Sequence, residues 1–134
     1  MKLLASLRAC FDKVQSDLDF CFFLNELKKY NVVSYVHFVS TGNTIIVTSH
    51  NVTFSLKEDR RLLKVNSKTN YSCIADVANL HFSGGVTYDM YCQILADAGV
   101  FKWSVDLKME NRMYWSRKNK LLHSEKLFKD KIID

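Results

Sequence analysis

The stretch Gly85–Ser116, GVTYDMYCQILADAGVFKWSVDLKMENRMYWS, decides the fold. Thr87 is a residue of N-cap type. Tyr88, Tyr91, Cys92 and Leu95 follow at i, i+3, i+4 and i+7, the apolar stripe of a short helix. Gly99 is the stop, because glycine takes the left-handed conformation that closes a helix. Phe101, Trp103, Val105 and Leu107 then alternate with Lys102, Ser104, Asp106 and Lys108. That alternation predicts a half-buried strand with one wet face. Met109–Asn111 is read as a turn and Arg112–Arg117 as the return strand, with Met113 and Trp115 on one face. Arg112 and Tyr114 lie on the other, and are assigned with Lys102 and Asp106 to the wet side.

Working outward, the N-terminal part repeats these signals. Leu3, Leu4, Leu7, Phe11 and Val14 sit at helical spacing. Ser16 resembles the N-cap of a second helix, with Asp17 and Asp19 in a first turn where carboxylates suit the helix dipole. Phe20, Phe23, Leu24 and Leu27 form its stripe, and Asn31 follows as the usual substitute for a stop glycine. Val32–Phe38, Thr44–Thr48 and a run carrying Val52, Phe54 and Leu56 read as strands separated by short turns, an antiparallel meander. Residues 57–72 are polar and aperiodic and are expected to be a mobile connection, with one turn of structure near 62–65. Cys73–Leu80 reads as a short helix ended by Ser83-Gly84-Gly85. Residues 119–128 read as a further short strand or a frayed end, and 129–134 as a frayed tail. No internal repeat is visible. Helices are segregated from clustered strands, which predicts a single α+β domain over 1–134. It has an antiparallel sheet of five to six strands with helices packed on one face.

The 134 residues suffice for one core without metal or disulfide staples. The net charge of +5 is uneven. Residues 1–100 carry 10 basic and 9 acidic side chains, and residues 101–134 carry 9 and 5. The four cysteines, Cys10, Cys21, Cys73 and Cys92, form no CxxC pair and no zinc-type cluster with histidine. They are read as reduced thiols of a cytoplasmic protein. In MKLLASLRAC the apolar run is too short for a signal sequence, and no stretch approaches the roughly 18 apolar residues of a membrane span.

On its motifs the chain resembles the YdfO/YbcV-like family of uncharacterised bacterial and prophage-borne proteins, some labelled phage envelope protein. The residues that carry the resemblance are Gly85, Thr87, Tyr88, Tyr91-Cys92, Ala98-Gly99-Val100, Lys102-Trp103, Val105-Asp106 and Tyr114-Trp115. Phe11-Asp12-Lys13-Val14, Asp19-Phe20, Glu26-Leu27-Lys28 and Val32 to Tyr35 fall in the expected order. Two departures stand out. Asn31 replaces the family's glycine, a swap that preserves the backbone geometry. Cys73–Gly84 is shorter than the family's helix and lacks its His-Gln pair. The resemblance implies an α+β fold and supplies no catalytic residues.

No paired-carboxylate motif, GxSxG, HExxH or P-loop is present, and no cofactor or metal is expected. Cys92 is a candidate thiol nucleophile only if folding brings up His37, His50, His81 or His123. Its place on a helical stripe favours a buried structural thiol. Asp106 has Lys102 or Arg112 as expected ion-pair partners. A nucleic-acid reading rests on Lys102, Lys108, Arg112, Tyr114, Arg117, Lys118 and Lys120, cations interleaved with an aromatic ring. The expectation is a non-enzymatic binding or interaction module, its partner an unknown protein or a second copy. The alternatives are single-stranded nucleic-acid binding through the basic C-terminal third, and a small-ligand protein or enzyme built on Cys92. Candidate ligand residues are Lys102, Asp106, Arg112, Tyr114 and Arg117.

Overall fold

Asn31 adopts the left-handed conformation that its place after a helix predicts, with φ 62°, and Gly99 does the same at φ 95°. These two stops divide the chain in the same way twice. In the computed structural model, which describes residues 2–17, 20–82 and 85–127 (side chains for 3–13, 22–80 and 85–127), each stop joins a pair of helices to a three-stranded meander. The first unit is α1 (Lys2–Asp17), α2 (Phe20–Lys29), β1 (Val32–Phe38), β2 (Thr44–Thr48) and β3 (Thr53–Leu56). The second is α3 (Tyr71–Phe82), α4 (Tyr88–Asp97), β4 (Lys102–Asp106), β5 (Asn111–Trp115) and β6 (Leu121–Lys126). The meanders join through antiparallel β1 and β4 into one sheet of order β3-β2-β1-β4-β5-β6. The fold is therefore α+β, with six antiparallel strands among the described residues. Ser16, expected as a cap, lies inside α1 instead, and Asp19 and the 129–134 tail fall outside the described residues.

The two units are related by a constant spacing of 68 residues, an internal repeat that the side chains conceal. It carries α2 onto α4 end to end. It carries the hydrogen bond from Asn31 N to Lys28 O onto the one from Gly99 N to Ala96 O, and that from Asn51 N to Thr48 O onto that from Asn119 N to Ser116 O. Asn51 and Asn119 both have positive φ, 61° and 64°. The seam is reciprocal: Val39 N donates to Phe101 O, and Leu107 N donates to Val33 O. Val36 faces Ser104 across the seam, a position that the spacing maps onto itself. A pseudo-twofold axis therefore passes through that pair.

The helices cover one face. Phe11 of α1 and Phe23 of α2 pack edge-on against Tyr35, with ring centroids 5.0 and 6.1 Å away. Tyr91 of α4 lies 5.1 Å from Trp103. Thr87 caps α4 as expected, its Oγ1 accepting from Met90 N at 3.1 Å. Tyr91, Cys92 and Leu95 are buried along that helix. The corresponding stripe in the first unit is Phe23, Leu24 and Leu27.

The connection over residues 57–70 differs from its sequence reading. It has no helical turn near 62–65 and buries Leu63 and Val65 while Leu62 stands 73% exposed. Leu63 N donates to Ser40 O, Asn66 N to Ala96 O and Asn70 N to Ala98 O. Period-two burial over so short a run is invisible among the surrounding charges, so the segment reads as mobile although it is fastened at three points. It passes so close to Gly99 that a Cβ there would lie 2.7 Å from Lys68 O.

Candidate functional site

The five candidate ligand residues do not converge. Arg112 and Tyr114 are buried, at 1% and 0% exposure, rather than on the wet face. The reason is register. The β4–β5 turn spans 107–110, not 109–111, with Glu110 at φ 57°. Trp103 therefore faces Tyr114, and Val105 faces Arg112. Directly opposed residues share a face, and a turn displaced by an odd number of residues in its pairing exchanges the faces of the whole strand. Met113 and Trp115 consequently lie outward, Trp115 donating from Nε1 to Ser104 Oγ at 2.9 Å.

Buried Arg112 is accommodated by a directional chain. Its Nη1 donates to Tyr91 Oη at 3.1 Å, and Tyr114 Oη donates to Glu125 Oε2 at 2.8 Å. Since the Tyr114 proton is committed to Glu125, Tyr91 is the donor in the Tyr91–Tyr114 hydroxyl pair. Arg112 Nη1 also stands 3.7 Å from Glu125. Burial pushes both phenols above their ordinary range. The arrangement ties α4 to β5 and to the edge strand β6, a structural role. Asp106, the expected partner of Arg112, instead accepts from Lys108 N and Met109 N with Oδ1 and shapes the turn.

His37 and Cys92 form a second buried group. His37 stacks on Trp103 with centroids 4.3 Å apart. Its Nδ1 pairs with Thr44 Oγ1 at 3.0 Å and its Nε2 with the Tyr88 hydroxyl at 3.3 Å. Burial, aided by the charge of Arg60, pushes its pKa down to about 3. The imidazole is neutral at physiological pH. Cys92 is 2% exposed, and burial pushes its thiol up to about 12. Folding does place Cys92 in the neighbourhood of a histidine, through Tyr88, but leaves no thiolate at neutral pH. Among the described residues no cluster of three His, Cys, Asp or Glu side chains has metal-binding geometry.

Arg117 belongs to a different place, and Lys102 only braces the turn beside it. Two adjoining cavities, about 680 and 290 Å³, open between the 57–70 connection, the end of α4 and the turn 116–120. Asn66, Ser67 and Arg117 line both, so the two form one groove. Arg61 and Lys64 line the larger part, and Lys118, Lys120 and Tyr71 the smaller. Asp97 is the one carboxylate among the lining residues, and it accepts from Gln93 Nε2. Gln93 Oε1 in turn accepts from Arg61 Nη2 at 3.0 Å. The turn is rigidly built: Ser116 Oγ accepts from Lys118 N and Lys120 N, and Lys102 Nζ donates to Asn119 Oδ1 at 2.9 Å. Gly99 lines the smaller part, where its missing side chain lets the 57–70 backbone close the wall.

The residues 8–126 match the family described as "Protein of unknown function (DUF1398)". This chain belongs to the DUF1398 family. Among its relatives, the "Uncharacterized protein YcgX" of Escherichia coli (strain K12) is 36% identical over 115 residues, 86% of each chain. The "Uncharacterized protein YbcV" of the same organism is 31% identical over 127 residues, 95% of this chain and 93% of that one. The DUF1398 match encloses both meanders and every residue of the basic groove.

Within this DUF1398 chain the repeat serves as an internal control. The turn at 48–52 has the same backbone as 116–120, including the hydrogen bond from Thr48 N to Val52 O that matches Ser116 N to Lys120 O. It is made with Ser49, His50 and Val52 where the second unit has Arg117, Lys118 and Lys120. The fold of the turn does not require the cations. Sequence reading located Arg117, Lys118 and Lys120 through the charge bias but missed Arg61, Lys64 and Tyr71. These lie more than 45 residues upstream of Arg117 and join it only through the closure of the 57–70 connection.

Proposed function

We propose that this protein is a binding module, not a catalyst, and that it holds an anionic ligand in the groove between residues 61–71 and 116–120. The observation that carries the reading is the convergence of Arg61, Lys64, Arg117, Lys118 and Lys120 on one groove whose turn folds equally well without charge in the other unit. Clefts lined by one sign of charge concentrate counter-ions and ligands of the opposite sign. The first turn of α3 opens on the same groove at Tyr71, and its dipole adds to the positive potential there. The buried state of the Cys92 thiol and of the His37 imidazole supports binding over nucleophilic chemistry.

Binding of inorganic polyphosphate and of an oligothymidylate, followed by fluorescence anisotropy or calorimetry, tests the proposal. Three to five ionic contacts with a single strand predict a slope of log K against log salt between about −2 and −3.5. The variant Arg117→Ser/Lys118→His/Lys120→Val places the first unit's residues on the second unit's turn. It is expected to unfold at the same urea concentration as the parent and to bind polyanions at least about tenfold more weakly. Absence of binding to either ligand at about 50 mM salt refutes the reading, as does undiminished binding by the triple variant.

A further inference from the structure

We infer that the ligand of this groove is single-stranded nucleic acid, with one unpaired base stacked on Tyr71. This rests on the anion-binding reading and adds to it the ligand class and the residue that recognises it. Tyr71 is the first residue of α3 and is 48% exposed, as Phe22 is at 46%, but of the two only Tyr71 lines the groove. It lines the smaller cavity beside Lys118 and Lys120. The repeat again supplies the comparison: 68 residues earlier the chain carries Leu3, half-buried against the core, so the helix start needs no exposed ring. A ring at the floor of a cationic groove is the combination by which sequence-tolerant single-strand binders work: cations track the phosphates and the aromatic face takes a base.

The ring face is already occupied by a cation within the protein itself. The Lys120 ammonium lies over it, 5.8 Å from the centroid, within the range of a cation–π contact. An incoming base takes the ring face, and the displaced ammonium is then free to meet the adjacent phosphate. One substitution of partners thus serves both halves of a nucleotide. A duplex offers its phosphates but keeps its bases stacked on one another, so Tyr71 discriminates in favour of single strands. Asn66 and Ser67 stand where the two cavities meet; Asn66 Oδ1 accepts from Lys68 N, which leaves its side-chain NH2 and the Ser67 hydroxyl suited to base edges or sugar hydroxyls without selecting one base.

The test compares the parent chain with Tyr71→Ala and Tyr71→Phe on four fluorescent or competing probes: a dodecameric oligothymidylate, a mixed-sequence duplex, polyphosphate and poly-glutamate. The expected result is that Tyr71→Ala weakens the oligothymidylate about tenfold more than it weakens polyphosphate, while Tyr71→Phe, which keeps the ring, stays within about twofold on both. Quenching of tyrosine emission by the oligonucleotide in the parent and its loss in Tyr71→Ala would agree. Equal affinity of Tyr71→Ala and parent for the oligonucleotide overturns the inference while leaving anion binding intact. Poly-glutamate or duplex bound as tightly as the single strand overturns it too, assigning the groove to an acidic protein or to duplex backbone. Failure of all four probes removes the anion-binding reading itself.

Discussion

Acidification should destabilise this protein through His37, and the size of the effect follows from its surroundings. The imidazole is 3% exposed, stacked on Trp103 and bonded at both nitrogens, so protonation inside the fold is opposed first by burial and then by Arg60. Its folded pKa of about 3 lies below the ordinary value of 6.5. Between these values the unfolded chain binds a proton that the folded chain does not. Stability therefore rises with pH through this window and is lost as pH falls from about 6.5 toward 3. Each pH unit inside the window is worth about 1.4 kcal/mol, so moving from about pH 7 to about pH 5 removes about 2 kcal/mol from this residue alone. That is a sizeable part of a typical domain's 5–15 kcal/mol, roughly. Urea unfolding followed by tryptophan fluorescence at several pH values measures it. The control is His37→Gln, which keeps a donor and an acceptor but does not titrate. Its stability at neutral pH will be lower, and only the pH slope is diagnostic: the variant should lose about 2 kcal/mol less than the parent between the two pH values. Parallel slopes for parent and variant would show that the imidazole is not held neutral by the fold, and the reasoning would fail.

Two further outcomes follow from the buried chemistry. At pH 7 a thiol with pKa near 12 is about one part in 10⁵ thiolate, so Cys92 should resist iodoacetamide in the folded chain and react once unfolded in urea. Mass-spectrometric mapping that finds Cys92 alkylated natively as fast as partly buried Cys73 contradicts its burial. Arg112→Met removes the donor at the head of the Tyr91–Tyr114–Glu125 chain and leaves Glu125 without its cation, at an expected cost of about 3 kcal/mol. Adding Glu125→Leu should recover part of that loss, and a single variant within about 1 kcal/mol of the parent would show the network to be dispensable.

Local signals in the chain were sufficient for most of the architecture. Asn31 and Gly99 mark helix ends because few residues tolerate φ near +60 to +95°. The Thr87 cap, the Tyr91–Cys92–Leu95 stripe and the alternation of Trp103 and Val105 are each decided within a few residues of backbone. So are the α+β class and the first five strands with their tight turns, whereas β6 lies in a stretch read as either a strand or a frayed end. Charge bias also announced one wall of the groove, at 117–120.

What adjacency in sequence does not contain, the tertiary structure decided. The turn at 107–110 set the register of β5 and thereby placed Arg112 and Tyr114 inside, where Tyr91 and Glu125 could satisfy them. Hydropathy alone favoured the reverse, since a buried arginine is affordable only when partners from other elements arrive. The repeat is one of backbone, not of side chains: few aligned positions are identical, among them Leu27 with Leu95, Val32 with Val100, and Asn51 with Asn119. Its pseudo-twofold axis appears only once β1 and β4 pair. The sequence stretch Gly85–Ser116 thus determined a helix, a stop and two strands by itself. Which faces those strands present, and which distant loop meets the turn after them to form the basic groove, depended on long-range pairing and packing, because a strand's two faces are locally equivalent until a partner chooses between them.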